Sequence, residues 1–510
     1  MIRKSLVLAV LLSAVPLHAQ FQATIDVKLV EVDVVVTDRE GKRVHGLTAD
    51  DFEIFEGRTP QKITNFTEYR EQAVPDASSP SSSAPAEQKR PPQSLLILID
   101  RLTREGNSRD RELENLDQLV ANLMRQGDRA SIVYWLPNYE RAEPIVTSTD
   151  PAVIRAALRR LSSHETAPGA AASLAQDSTT GTTLIEAEDD DITDKEAQRL
   201  STEFFGGEMD LMLFRRRTRA LNRLIQSFGH QEGRKTLLYV AQEFIMPASP
   251  LTRQAAISHL DDVVKSANAN GVTIYMSGHS SPSENGAPDD PPERRMRKID
   301  VMEHLTIPTG GKSDFGPISV ATLGKTIVED AGSYYSLAYQ ARSDGKDRER
   351  GLTVKTKNRD YRVRARTSFV EKSKETVGRD LVLAGIFGGG VSNDLEFRVQ
   401  HGEPQKTGKN RWTIPVAVSI PSRQLEFAEE GRERVARVRI IIASANGVAE
   451  VTPFNEDDLR VVSGKDDPRG LVTYTVQIVA NERGSDVGIG VLDRRSGRAG
   501  VHTFSSKPVK

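Results

Sequence analysis

The residues best placed to do chemistry lie where apolar runs stop. Leu95–Ile99 (LLILI) leads into Asp100, followed by Arg101, Leu102, Thr103 and Arg104. A carboxylate and a hydroxyl at the mouth of a buried strand are hard oxygen ligands for a divalent cation. A guanidinium at the same place holds a carboxylate instead, in bidentate fashion. A second apolar run ends in Gly278-His279-Ser280-Ser281-Pro282, which imitates the G-x-S-x-G turn of serine hydrolases. Pro282 stands where that turn needs a glycine, and the following SENGAPDDPPE reads as a loop where a helix is required. The later histidines, His304, His401 and His502, have no supporting context, so a hydrolase is the weakest reading of these residues. The acidic run Glu186–Asp191 (EAEDDD) lacks the alternation and the glycine of a calcium loop. Arg215-Arg216-Arg217 reads as the solvent face of a helix that is apolar on its other side. The nine histidines form no H-E-x-x-H and no close pair, so zinc hydrolysis has no support. Gly388-Gly389-Gly390 opens no helix and is no phosphate loop.

The elements that position these residues follow from periodicity. Residues 20–72 alternate as strands, with Val30, Val32, Val34 and Val36 on one face and a turn at Asp38-Arg39-Glu40-Gly41. Residues 73–93 (AVPDASSPSSSAPAEQKRPPQ) bury no apolar surface and read as a flexible linker. From 94 to 340 strands alternate with amphipathic helices. The strand Leu95–Ile99 is continuously apolar, as in a sheet covered on both faces. Leu113, Leu116, Val120 and Leu123 follow helical spacing, and Asp150-Pro151 caps and opens a helix. A polar insertion at 162–208 interrupts the rhythm, which resumes with Leu211, Phe214, Leu221, Leu224 and Phe228 and ends in a strand at Tyr334–Tyr339. This order predicts a doubly wound, parallel-type sheet. Residues 341–372 predict a hairpin, Leu352 and Val354 opposite Val363, packed against the N-terminal β segment. Residues 373–510 predict a C-terminal β-sandwich.

Bulk properties narrow the class. A chain of 510 residues exceeds a single core. A net charge of −2 points to no nucleic-acid partner, and the chain holds no cysteine for disulfides, thiol catalysis or thiolate metal sites. Arg3 and Lys4 precede the apolar Leu6–Val15, and Ala19 precedes Gln20, the pattern of a signal peptide cleaved after Ala19. No later run is long and apolar enough to span a membrane. The expected location is secreted or periplasmic.

Six stretches, VDVVVTDREGKRVHGLTADDFEIFEGRTPQKI, LLILID, GRKTLLYVA, GVTIYMS, TGGKSDF and GSYYSLAYQ, fall in the order of a known family. Over residues 25–370 the chain resembles the bacterial von Willebrand factor A-related family of exported proteins, with a β lead-in before a von Willebrand factor A-like (Rossmann-like) domain. The resemblance implies binding of a protein partner, often through a metal-dependent adhesion site at the carboxyl ends of the parallel strands. Such a site takes a carboxylate and two hydroxyls from its first loop, a threonine from a second and an aspartate from a third. Asp100 keeps its place, Leu102 offers no ligand atom, Arg104 brings a positive charge, and Thr103 is one residue out of register. Gly181-Thr182-Thr183-Leu184 resembles the second loop, so Thr182 or Thr183 corresponds to its threonine. Gln242 replaces the third-loop aspartate, and Glu243 substitutes only if that loop shifts.

Two readings follow. In the first, the site is degenerate and the chain is a non-enzymatic binding or scaffold protein without cofactor; Arg104 is then either a solvated loop residue beside a loop-capping Asp100, or a guanidinium that takes the cation's space and holds a partner's carboxylate. In the alternative, a rearranged site still binds Mg²⁺ or Ca²⁺ weakly at Asp100 and adhesion is metal-dependent. The partner's identity and the oligomeric state are not legible in the residues.

Overall fold

The computed structural model describes residues 27–70, 90–100, 106–135, 142–162, 192–241, 244–278, 291–316, 318–342, 345–388, 393–408, 411–445, 451–463, 470–480 and 484–506. The expected signal peptide, most of the expected 73–93 linker and the first part of the 162–208 insertion lie outside these residues.

The chain opens with β1 (Val27–Thr37), β2 (Phe52–Glu56), β3 (Thr59–Gln61) and β4 (Ile63–Arg70). Then come β5 (Gln93–Asp100), α1 (Gly106–Leu123), β6 (Arg129–Trp135), β7 (Ala142–Ser148), α2 (Pro151–Ser162), α3 (Ile192–Phe228), β8 (Arg234–Ala241), α4 (Pro250–Asn270), β9 (Val272–Gly278), α5 (Pro292–Thr306), β10 (Ser313–Phe315) and α6 (Ser319–Gly332). β11 (Ser333–Arg342), β12 (Glu349–Thr356), β13 (Arg362–Arg364), β14 (Ser368–Val370) and α7 (Lys374–Gly388) precede the C-terminal strands between Arg398 and Ser506. The result is mixed α/β, with one largely parallel sheet and several antiparallel ones.

The largely parallel sheet has the order β10-β9-β8-β5-β6-β7, and its edge strand β7 runs antiparallel to β6. Both faces are covered. Leu96, Leu98, Tyr239, Ile274 and Met276 meet α3, α4 and α5 on one side. Leu95, Ile97, Ile99, Leu238 and Tyr275 meet α1, α2 and α6 on the other. Alternate side chains therefore bury in opposite cores, which is why β5 reads as a continuous apolar run. The cap expected at Asp150 is present: its carboxylate accepts from Ala152 N–H at 2.8 Å, satisfying an otherwise orphan donor of α2.

Three expectations are corrected. The strand Tyr334–Tyr339 does not extend the parallel sheet; as β11 it lies between β1 and β4, antiparallel to both. Tyr335 packs on Phe52 and Phe66 and Tyr334 stacks on Tyr69 at 4.8 Å, so its aromatic positions are matched by the N-terminal strands. Residues 341–370 pair with one another only in part: β12 runs antiparallel to β14 over Glu349–Gly351, but Leu352 and Val354 lie opposite Glu56 and Ile54 of β2 and not opposite Val363, and β13 pairs with the end of β1. These strands form two sheets, β13-β1-β11-β4 and β14-β12-β2-β3, around one core of Val30, Val32, Val34, Ile54, Leu337 and Phe369. The apolar run before Gly388 is the helix α7, and α3 begins at Ile192, inside the stretch read as insertion. Gly378 and Gly385 let α7 close on Ile441 and Val501, contacts that a Cβ would bring to 2.7 and 2.9 Å. Beyond α7, two antiparallel sheets face a common core that includes Ile414, Val418, Ile440, Ile489 and Val491. Among the described residues no helix is long and apolar enough to cross a membrane.

The β unit and the α/β unit meet at Thr309-Gly310-Gly311 and at Asp330. Gly310 takes φ +79°, and a Cβ on Gly311 would stand 1.8 Å from the Ile274 carbonyl. Asp330, 1% exposed, accepts from Arg364 and Tyr275 at 2.5 Å and from Arg43. Burial raises its pKa, yet Arg364 and Arg43 outweigh burial and hold it below its ordinary 3.8. Gly311→Ala is predicted to cost about 3 kcal/mol or more, because backbone must move. Gly351→Ala, with open space around it, should stay within about 0.5 kcal/mol. Denaturant melts of the two variants check the contrast.

Candidate functional site

Asp100 closes β5, in register with Trp135 at the end of β6 and Ala241 at the end of β8. It therefore sits at the carboxyl ends of the central parallel strands, where open α/β sheets bind ligands. It is also sealed: Asp100 is 1% exposed. Its Oδ2 accepts from the Tyr239 hydroxyl at 2.9 Å and lies 2.8 Å from Nη2 of Arg217. Arg217 is itself buried, with its guanidinium 4.8 Å from the centre of the Phe244 ring. Phe244 packs on Phe214 and Tyr239, and Trp135 meets Tyr239 edge-on at 5.5 Å. Burial, followed by the charge of Asp100, pushes the Tyr239 hydroxyl well above its ordinary range, with Arg217 opposing. Tyr239 is thus a fixed hydrogen-bond donor.

The cation beside Asp100 is a guanidinium, and it comes from Arg217 of α3. The sequence pointed to Arg104 for this role; Arg104 and Thr103 lie outside the described residues, as do Thr182, Thr183 and Glu243. The reading of Arg215-Arg216-Arg217 as a solvent face is corrected. Arg215 is exposed and Arg217 is buried. A signal was present: Arg217 follows Phe214 by three residues and precedes Leu221 by four, which places it on the apolar stripe of α3. A charge at a stripe position needs a buried partner, and Asp100 is that partner.

Among the described residues the surroundings of Asp100 do not fit a divalent cation. A metal ligated by Oδ2 would compete with the Tyr239 donor and stand next to a fixed positive charge with little solvent to screen it. Among the described residues no group of three or more His, Cys, Asp or Glu side chains is placed to hold a metal ion.

No family model matches the chain, and no curated protein matches it. Among solved structures it is similar to the ArnB paralog VWA2 from Sulfolobus acidocaldarius, at 9% identity over 96% of this chain and 76% of that one, with a TM-score of 0.22. A catalytically inactive OgpA from Akkermansia muciniphila, in complex with an O-glycopeptide, matches at 10% identity over 51% of this chain and 72% of that one, TM-score 0.14. A Northeast Structural Genomics Consortium target matches at 14% identity over 23% of this chain and 90% of that one, TM-score 0.14. TM-scores this low assign the chain neither a family nor an activity.

Two buried acids yield predictions. Arg217→Met leaves Asp100 buried without its counter-charge and should cost about 3–5 kcal/mol, whereas Asp100→Leu with Arg217→Met should recover most of that loss. Trp135 fluorescence in a Trp412→Phe background, followed through urea denaturation, reports on this site. A loss below about 1 kcal/mol in the single variant would contradict the pairing. Glu112 of α1, 7% exposed, is pushed up by burial to about 7 from 4.5. The folded state then binds more protons than the unfolded one, so stability is fully present below the unfolded value and falls as pH rises through 7. Glu112→Gln should gain on the wild type by about 1–3 kcal/mol between about pH 5 and about pH 8, checked by melts at both.

Proposed function

We propose that the protein is an exported, non-enzymatic binding or scaffold protein built on a von Willebrand factor A-like domain. In this reading the metal-dependent adhesion site has become an internal salt bridge. One observation carries it: at the carboxyl ends of the parallel strands, a buried guanidinium stands 2.8 Å from the one acidic residue that keeps the adhesion-site position. A guanidinium is permanently charged and geometrically fixed. It neutralises Asp100 without an exchangeable ion, and the strand-end face keeps its shape whatever the metal supply. Binding then rests on side chains around this face and on the flanking β units, with a protein as partner. The chemistry at Asp100 is consumed within the fold, so the site's contribution is rigidity.

The competing reading, metal-dependent adhesion, makes the opposite prediction for a simple experiment. A ligand that binds only the folded form must raise its melting temperature. The salt-bridge reading expects the same midpoint, within experimental error, in EDTA and in excess Mg²⁺, Mn²⁺ or Ca²⁺. A concentration-dependent rise with any of these ions that disappears in Asp100→Asn would establish the metal-dependent reading instead.

A further inference from the structure

At the other end of the parallel strands, a cavity of about 470 Å³ separates the β unit from the α/β unit. It is within the size range of sites for small organic ligands. Arg234 and Lys235 enter it from the start of β8, Asn268 from the end of α4, Arg366 from beyond β13, and Glu31 and Asp33 from β1. Tyr334 lines it beneath the Arg234 guanidinium, 4.5 Å from the ring centre.

The charges in this cavity are unevenly paired. Arg234 has Asp33 at 3.5 Å, and the Glu31 carboxylate accepts from the Ser336 hydroxyl at 2.6 Å. Lys235 donates only to carbonyls, of Gln231 at 3.4 Å and Gly233 at 3.2 Å. Arg366 does likewise, to Asn268 O at 3.0 Å and Glu31 O at 2.5 Å, and its buried Nε has no hydrogen-bond partner. Among the described residues neither cation has a carboxylate oxygen within 4.0 Å. They also crowd one another: burial, then Lys372 and Arg366, push the Lys235 ammonium down, and Asp33 and Glu31 offset this only in part. His230, close enough to feel Lys372 and Lys235, is pushed down to about 4, chiefly by burial. Beside the two cations, Oδ1 of Asn268, a residue 1% exposed, is buried without a donor. Its amide nitrogen is already spent on Ser368 Oγ at 2.9 Å.

Two cations with no carboxylate in contact, Asp33 and Glu31 acting on them only from farther off, and a buried acceptor without a donor form a complementary set. An oxyanion that also carries a hydroxyl satisfies both, and an oxyanion alone satisfies half. We propose that this cavity binds a small hydroxyl-bearing oxyanion, a phosphate or a hydroxycarboxylate, with the oxyanion between Lys235 and Arg366 and its hydroxyl donated to Asn268. Such a ligand would bridge the β unit and the α/β unit and tighten their joint. The site is independent of Asp100 and of the function proposed above.

The test is isothermal titration of the full chain with inorganic phosphate, malate and sulfate at neutral pH. Phosphate retains a hydroxyl there and sulfate does not. Saturable binding is expected for phosphate or malate, about tenfold tighter than for sulfate, the worth of roughly one hydrogen bond. Malate tighter than phosphate names a carboxylate as the natural group, and the reverse names a phosphate. Lys235→Met should weaken binding at least about tenfold while leaving the unliganded melting temperature unchanged or higher, because it relieves like-charge crowding. Asn268→Asp, which places a carboxylate beside the anion, should abolish it. No saturable heat with either phosphate or malate would overturn the proposal, as would equal affinity for sulfate or unchanged affinity in Lys235→Met.

Discussion

An ionised carboxylate at the end of a buried strand must find a positive charge, because burial without one costs several kcal/mol. Asp100 finds it in Arg217. Much around this end of the sheet follows from that pair. α3 carries Arg217 to the sheet face beside Phe214 and Leu221. Tyr239 is held as a donor, and Phe244 covers the guanidinium on one face. A metal ion would have met the same electrostatic need, but through loops able to exchange ligands. A guanidinium meets it through a helix, and the strand ends become part of the core.

The opposite end of the sheet is organised by another set of charges. Asp330 gathers Arg364 and Arg43 from the β unit and Tyr275 from the parallel sheet, so one carboxylate joins the two units. β11 completes the joint by leaving the α/β rhythm immediately after α6 and entering the antiparallel sheet. The N-terminal strands and the segment after α6 are distant in sequence, yet neither has a core without the other. The 470 Å³ cavity lies within this joint. A ligand there acts on how the two units are held together, whereas the strand-end face lies at the far side of the sheet.

Local pattern made much of the architecture legible. The uninterrupted LLILI announced a strand covered on both faces, and Asp150-Pro151 marked the start of α2. Partner choice was less legible, because strand pairing is set by distant residues. Leu352 and Val354 alternate correctly for a strand, and nothing local says that they pair with β2 and not with residues ten further on. LVLAGIF before Gly388 is apolar enough for a strand or for a buried helix, and period alone does not separate the two over so short a run. At the candidate site, Asp100 was legible as a carboxylate at a strand end. Its partner was not, since a triplet of arginines invites reading as a unit although successive helix residues point in different directions. The apolar spacing around Arg217 carried the correct answer.

The central claim is that a guanidinium occupies the cation's place at Asp100. Diffraction from crystals grown in manganese, with anomalous data, tests it directly. The account predicts Arg217 against Asp100 Oδ2 and no anomalous peak within ligand distance of that carboxylate. A strong peak bound by Asp100 and water oxygens, with Arg217 turned away, would contradict it.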